Sequence, residues 1–267
     1  MRSKILMICA AALVVLPASA QDETASDSDV QDMSDPLAVY TQVGAGVTNK
    51  GINLKAGRSY DTGSPTTMAM NVLEAKGLLG EAVGWDSGSV RDNSADSLRL
   101  RNFKVDLTNG RGGQLDVSYN FDENYFAEES GTISYGVMQA LPKFGSINIY
   151  PLVGLGLAFG NNVLEDDGSI DSGYSIPGTY ALAGMYGKWA ITDKVWMNYN
   201  PFFLATLSGS DIYKDNAYGA GNDNVLTHEI ALSYQISPVF NVRYFANFTD
   251  EVDFADGDHR VEFNYQL

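Results

Sequence analysis

His259-Arg260-Val261-Glu262-Phe263-Asn264-Tyr265-Gln266-Leu267 closes the chain, and its two faces differ. Val261, Phe263, Tyr265 and Leu267 fall on one face; Arg260, Glu262, Asn264 and Gln266 fall on the other. A period of two is the signature of a β-strand. The clearest repeat of the pattern is Ile147 to Phe159, where Ile147, Ile149, Val153, Leu155, Leu157 and Phe159 oppose Asn148, Tyr150, Gly154, Gly156 and Ala158. Alternation of this kind recurs about a dozen times, with few apolar helices to cover it. A sheet with one greasy face and nothing to pack on it is best served by closing on itself in lipid, where no edge is left unpaired. The predicted fold is therefore all-β: a closed antiparallel transmembrane β-barrel of about 12 strands.

Working outward, residues 1–20 read as a secretory signal peptide. Arg2 and Lys4 supply the basic start, Ile5 to Leu16 the apolar region, and Pro17-Ala18-Ser19-Ala20 the small residues of a cleavage site after Ala20. The only cysteine, Cys9, lies in this leader, so the mature chain has no thiol and no disulfide. Residues 21–36 carry Asp22, Glu23, Asp27, Asp29, Asp32 and Asp35 without a basic partner, which predicts a disordered acidic periplasmic segment. The formal charge of −16 argues against nucleic acid as a partner.

The barrel is expected over 37–267. Its first strand is Leu37 to Val47, and Thr67 to Val83 reads better as strand than as helix. A helix there would hold Gly77 and Gly80, each costing about 1 kcal/mol. From the amino end, gaps four, eight and ten (108–112, 192–194 and 237–238) are short, whereas gaps three, five, seven, nine and eleven are long and polar. Short periplasmic turns opposite long outer loops suit an even strand count. Between Leu98–Leu107 and Gly113–Phe121, a five-residue loop at 108–112 would pair Lys104 with Asp116 and Asp106 with Gln114, keeping Phe103 and Val105 outward. Aromatic girdles are expected from Trp189, Trp196, Phe240 and Tyr265 at the periplasmic end, and from Trp85, Phe121, Phe159 and Phe248 at the outer end, though Trp196 has inward parity.

Parity assigns Lys55, Lys104, Asp106, Asp116, Lys188, Glu229, Arg243, Arg260 and Glu262 to the lumen. Charges of both signs there either pair and seal a narrow interior or line a wet channel. No catalytic constellation stands out. His228-Glu229 begins like a zinc-binding H-E-x-x-H but meets Leu232, and Asp256-Gly257-Asp258-His259 at the outer rim lacks a convincing partner. No metal site and no cofactor are expected.

The terminal strand, with Phe263, Tyr265 and Leu267 on one face, resembles the signature strand of Gram-negative outer-membrane β-barrels. In that family the last residue is aromatic; here it is leucine. The chain after residue 36 resembles such barrels of the porin type. The resemblance implies residence in the cell outer membrane after export, with outer-membrane lipid and lipopolysaccharide around the wall. It also implies recognition of the last strand by the barrel assembly machinery and passage of small hydrophilic solutes. The alternatives are a non-conducting structural or surface-contact barrel acting through acidic outer loops, and an outer-membrane lipase or protease. Small channels for acidic oligosaccharides also have about twelve strands, but no basic lumen track is evident in the pattern.

Overall fold

The computed structural model describes residues 30–48, 50–80 and 95–267. The leader, residues 21–29 and Trp85 lie outside the described residues. Twelve antiparallel strands close into one barrel, each paired with its neighbours in sequence. They are β1 (Gln42–Thr48), β2 (Gly51–Asp61), β3 (Thr67–Leu78), β4 (Ser97–Asp106), β5 (Arg111–Asn120) and β6 (Glu129–Gln139). There follow β7 (Ile147–Leu164), β8 (Ile170–Ala190), β9 (Val195–Gly209), β10 (Asn224–Ser237), β11 (Phe240–Thr249) and β12 (Asp258–Gln266). The closing seam joins β1 to β12 from Gln42↔Gln266 to Thr48↔Arg260. No helix among the described residues is long and apolar enough to cross a membrane.

The outer wall carries the greasy half of each alternation. Leu100, Leu115, Ile133, Val137, Val153, Leu155, Phe203, Leu232 and Val261 are all exposed around the ring. Their inward neighbours on the same strands include Ser134, Asn198, Asn200, Ser233, Glu262 and Asn264, which are buried. In water such a wall would be a large aggregation surface; in hydrocarbon it is solvated. Strands β7 and β8, of 18 and 21 residues, exceed the roughly 9–11 residues a bilayer needs, so their hairpin projects beyond the span. The sequence predicts a loop over 161–175; the strands instead run on to Leu164 and resume at Ile170.

Two boundaries change the prediction. Strand β1 starts at Gln42, not Leu37. The β4–β5 turn is 107–110, which pairs Lys104 with Gly113, Asp106 with Arg111 and Arg101 with Asp116. This corrects the expected Lys104–Asp116 and Asp106–Gln114 pairs. The Asp106 carboxylate accepts from the Thr108 N–H (2.9 Å), the Thr108 hydroxyl (2.6 Å) and Asn109 Nδ2 (2.9 Å), and Gly110 adopts φ +66°. That local bonding and a left-handed glycine hold a tighter turn than the five-residue loop expected.

Candidate functional site

The connections that follow odd-numbered strands, most of them long but for the β1–β2 turn, gather at one end of the barrel; those that follow even-numbered strands, with the carboxyl terminus, lie at the other, the short-turn end. At the long-loop end, β9 leads to a single-turn helix, α1 (Asp211–Asn216). Its Tyr213 is buried against Phe126, Ala127, Ala158 and Val163, and Phe126 meets it edge-on at 5.5 Å. The carboxylate of Asp166, in the β7–β8 loop, accepts from the backbone N–H groups of Asp211 (3.0 Å) and Ile212 (2.9 Å). Those two donors hold the Asp166 carboxyl below the usual aspartate range. The β5–β6, β7–β8 and β9–β10 connections are thus packed together at this end.

Below that mouth lies a cavity of about 760 Å³. Its lining runs from Val252, Asp256 and Asp258 at the rim down to Arg99, Arg101, Gln114, Asp116, Tyr186, Asn200 and Glu229, and so takes side chains from around the ring. Opposed charges organise its wall. Arg101 pairs with Glu74 at 2.9 Å, and Arg99 pairs with Asp116, its Nε donating to Oδ1 at 2.9 Å. Asn200 donates to Glu229 at 2.7 Å, and the Tyr186 hydroxyl donates to Gln114 at 2.8 Å. Lower down, Arg243 donates to Asn198 (2.7 Å) and to the Ser233 hydroxyl (3.0 Å). Arg243 and Arg260 both sit over the Phe245 ring, at 4.8 and 4.0 Å.

At the seam, Lys55 on β2 reaches across β1 to Glu262 on β12, at 2.5 Å. It can do so because β1 is bare there. A Cβ on Gly44 would lie 2.7 Å from Asn264 Oδ1 and 3.1 Å from Lys55 Cε, and one on Gly46 would lie 3.2 Å from Glu262 Cβ. Arg260 Nε also approaches Glu262, at 3.3 Å.

The short-turn end is filled by residues 30–41, the segment preceding β1. Lys188 on β8 donates to Asp32 Oδ2 at 3.2 Å and to the Ser34 hydroxyl. The Tyr150 hydroxyl on β7 donates to Asp35 Oδ1 at 3.1 Å. Gln235 on β10 and Asn241 on β11 direct their amide nitrogens at the Met33 sulfur, at 3.4 and 3.6 Å. Val39 is buried with Met70 and Val72 of β3 and Val105 of β4, and Leu37 and Phe103 pack against that group. Burial raises the Asp32 pKa, but the bonds from Ser34 and the charge of Lys188 outweigh it and hold the carboxyl low.

These contacts correct three expectations. Residues 30–36 are packed into the barrel mouth, so the disordered acidic arm predicted to reach residue 36 does not extend over them. Lys104 is exposed on the outer wall and Asp106 caps the 107–110 turn, so neither lines the lumen. Strand β4 is unbroken, and Leu98 and Leu100 face outward. Alternation therefore sends Arg99, Arg101, Phe103 and Val105 inward, where Val39 and Leu37 cover the two apolar ones. Trp196 is buried inside the barrel, donating to Asn198 Oδ1 at 3.1 Å, and is no girdle residue.

Of the remaining residues assigned to the lumen, Lys55, Asp116, Lys188, Glu229, Arg243, Arg260 and Glu262 lie where the bonds above place them. Phe263, Tyr265 and Leu267 point outward, and Phe240 stacks on Phe263 at 6.1 Å. The sequence reading missed Glu74, Lys76, Arg99 and Arg101, which form a strip of mixed charge with a cationic surplus on β3 and β4. Counting parity from Leu98 and Leu100 finds the two arginines. Both histidines sit on the outer wall. His228 Nδ1 is 2.9 Å from the Tyr199 hydroxyl and its ring stacks on Phe248 at 4.8 Å, while His259 Nδ1 is 2.8 Å from the Tyr244 hydroxyl. Among the described residues no cluster of metal-ligating side chains forms.

A closed antiparallel barrel with an apolar wall and a charged, hollow interior has the fold of the outer-membrane barrels of the porin type. No protein-family profile matches the chain, and no curated protein sequence matches it. Among solved structures, the NanC porin superposes with a TM-score of 0.52 at 9% identity, covering 85% of this chain and 100% of that one. The translocator domain of the autotransporter NalP from Neisseria meningitidis gives a TM-score of 0.47 at 13% identity, covering 90% and 93%. At such identities the likeness is one of fold.

Proposed function

We propose that the chain is an integral outer-membrane barrel acting as a passive diffusion pore for small hydrophilic solutes, with anions favoured over cations. The observation that carries this is the charged cavity inside a twelve-strand wall. Eight strands leave an interior that side chains fill; twelve enclose more room than the wall's own side chains occupy. Solutes would move by diffusion, with size and wall charge setting selectivity.

The favoured sign follows from the inventory. Below the acidic rim of Asp256 and Asp258, Lys55, Lys76, Arg99, Arg101, Arg243 and Arg260 outnumber Glu74, Asp116, Glu229 and Glu262. A cationic surplus between low-dielectric walls raises the local concentration of anions. Outer-membrane lipid and lipopolysaccharide would surround the wall. The exposed Phe263, Tyr265 and Leu267 would present the last strand to the assembly machinery.

The second reading, a non-conducting surface-contact barrel, draws on the packed outer loops around Tyr213. We assign no catalytic role, since both imidazoles are engaged by tyrosine hydroxyls, His228 by Tyr199 and His259 by Tyr244. Planar-bilayer recording separates the readings. The pore predicts discrete steps whose reversal potential in a salt gradient indicates anion preference. Absence of steps at any voltage, even with residues 30–41 freed from the mouth, rejects it.

A further inference from the structure

We propose that residues 30–41 are a built-in stopper, closing the pore at the short-turn end and opening it by leaving as a unit. The inference rests on the pore reading above. Three observations carry it.

The first is reach. In the ring β1 sits roughly opposite β7. The segment touches β7 and β8 through Asp35 and Asp32, β10 and β11 through Met33, and β3 and β4 through Val39. A chain that contacts the far wall and both flanks crosses the mouth instead of lying along one side. It supplies the material that the side chains of a wall this wide lack.

The second is self-sufficiency. Within the segment, Asp35 N–H donates to the Asp32 carbonyl and Ala38 N–H to the Asp35 carbonyl, both at 3.0 Å. The carboxylates of Asp32 and Asp35 accept from the N–H groups of Ser34 and Leu37, both at 2.9 Å. Four backbone N–H groups that would need partners when buried are thus paired within the segment. The segment adds no strand to the ladder, and the barrel closes without it.

The third is the anchor. At its far end the segment is tied to the wall, with Leu267 N–H donating to the Thr41 carbonyl at 2.9 Å and the Thr41 and Ser59 hydroxyls 3.0 Å apart. The rest is held by contacts with side chains, including the Gln266 amide, which pairs with the backbone N–H (2.8 Å) and carbonyl (3.1 Å) of Gln31, so displacement costs no ladder bonds and pivots about Thr41.

The test locks the stopper in place. In a Cys9→Ser background, Met33→Cys and Asn241→Cys put the only two thiols on facing side chains, whose tips now meet at 3.6 Å, and thiol titration confirms that the oxidised form carries the disulfide before it is recorded. The folded full chain is recorded in planar bilayers, oxidised and then reduced. A parallel variant, Lys188→Ala with Val39→Asp, loosens both kinds of contact. Heat-modifiable gel mobility checks that each barrel is folded. The stopper predicts no steps when oxidised, steps on reduction, and an open probability raised about tenfold or more in the loosened variant. Equal steps before and after reduction overturn the stopper and leave the pore standing. No steps in any form, the folded loosened variant included, overturn the pore and the stopper with it.

Discussion

Replacing Glu262 by alanine should be among the most damaging single changes at the closing seam. The carboxylate is 4% exposed and serves two cations, Lys55 Nζ at 2.5 Å and Arg260 Nε at 3.3 Å. At an effective dielectric of about 20 the gross attractions are roughly 7 and 5 kcal/mol, most of which offsets desolvation. Removing one partner leaves Lys55, only 11% exposed, without its counter-charge. The expected net loss is about 3–5 kcal/mol. Lys55→Met alone should cost less, because Arg260 still neutralises the carboxylate. The double variant Lys55→Met/Glu262→Ala should be more stable than the sum of the singles predicts by about 2 kcal/mol. The assay is denaturant unfolding of the barrel in phospholipid vesicles, read by tryptophan fluorescence, with m-values compared to confirm that the same surface unfolds. Singles that add within about 0.5 kcal/mol would refute the reasoning that this pair staples the seam over a bare β1.

Charge reversal at Arg101→Glu should move the reversal potential toward cations, whereas Lys104→Glu on the outer wall should leave it unchanged; ion-selectivity recordings distinguish the two. Tyr213→Ala removes the aromatic on which the outer loops pack and should cost about 3 kcal/mol of local stability, seen as faster proteolysis within 205–225 while the barrel stays intact. Asp166 has a lowered folded pKa, so its contribution is fully present above the unfolded value of about 3.9 and is lost as pH falls through the folded value. The protection factors against hydrogen exchange at Asp211 and Ile212 should therefore fall in strong acid and be unchanged between pH 5 and 7. Asp32 follows the same sign, with Lys188, Tyr40 and Tyr150 as its charged or titratable neighbours, so strong acid should also loosen the stopper.

The barrel was legible because period two survives in almost every strand, and Ile147 to Phe159 needs no tertiary context to be read. The lumen was legible wherever the outward face is purely apolar, as on β12. It misled on β4, where Phe103 and Val105 look like lipid-facing residues. Their cover comes from Val39, about 65 residues away, and nothing local announces that contact. The stopper stayed hidden for the opposite reason. Its acidic composition signals disorder, yet Met33, Leu37 and Val39 interrupt it with apolar anchors, and Asp32 and Asp35 spend their charge on Lys188, Tyr150 and local backbone donors. Arg99 and Arg101 were findable from Leu98 and Leu100, had parity been carried unbroken along the strand.

The most direct test of the whole account uses single cysteines on β6 in a Cys9→Ser background, at Thr132, Ile133, Ser134, Tyr135 and Val137, each carrying an environment-sensitive fluorophore in vesicles with brominated acyl chains. Labels at Ile133, Tyr135 and Val137 should be quenched by the lipid, and those at Thr132 and Ser134 should be shielded from it but open to a water-soluble quencher. Quenching by lipid that ignores this alternation, or an outer face shielded from lipid at every position, would contradict it.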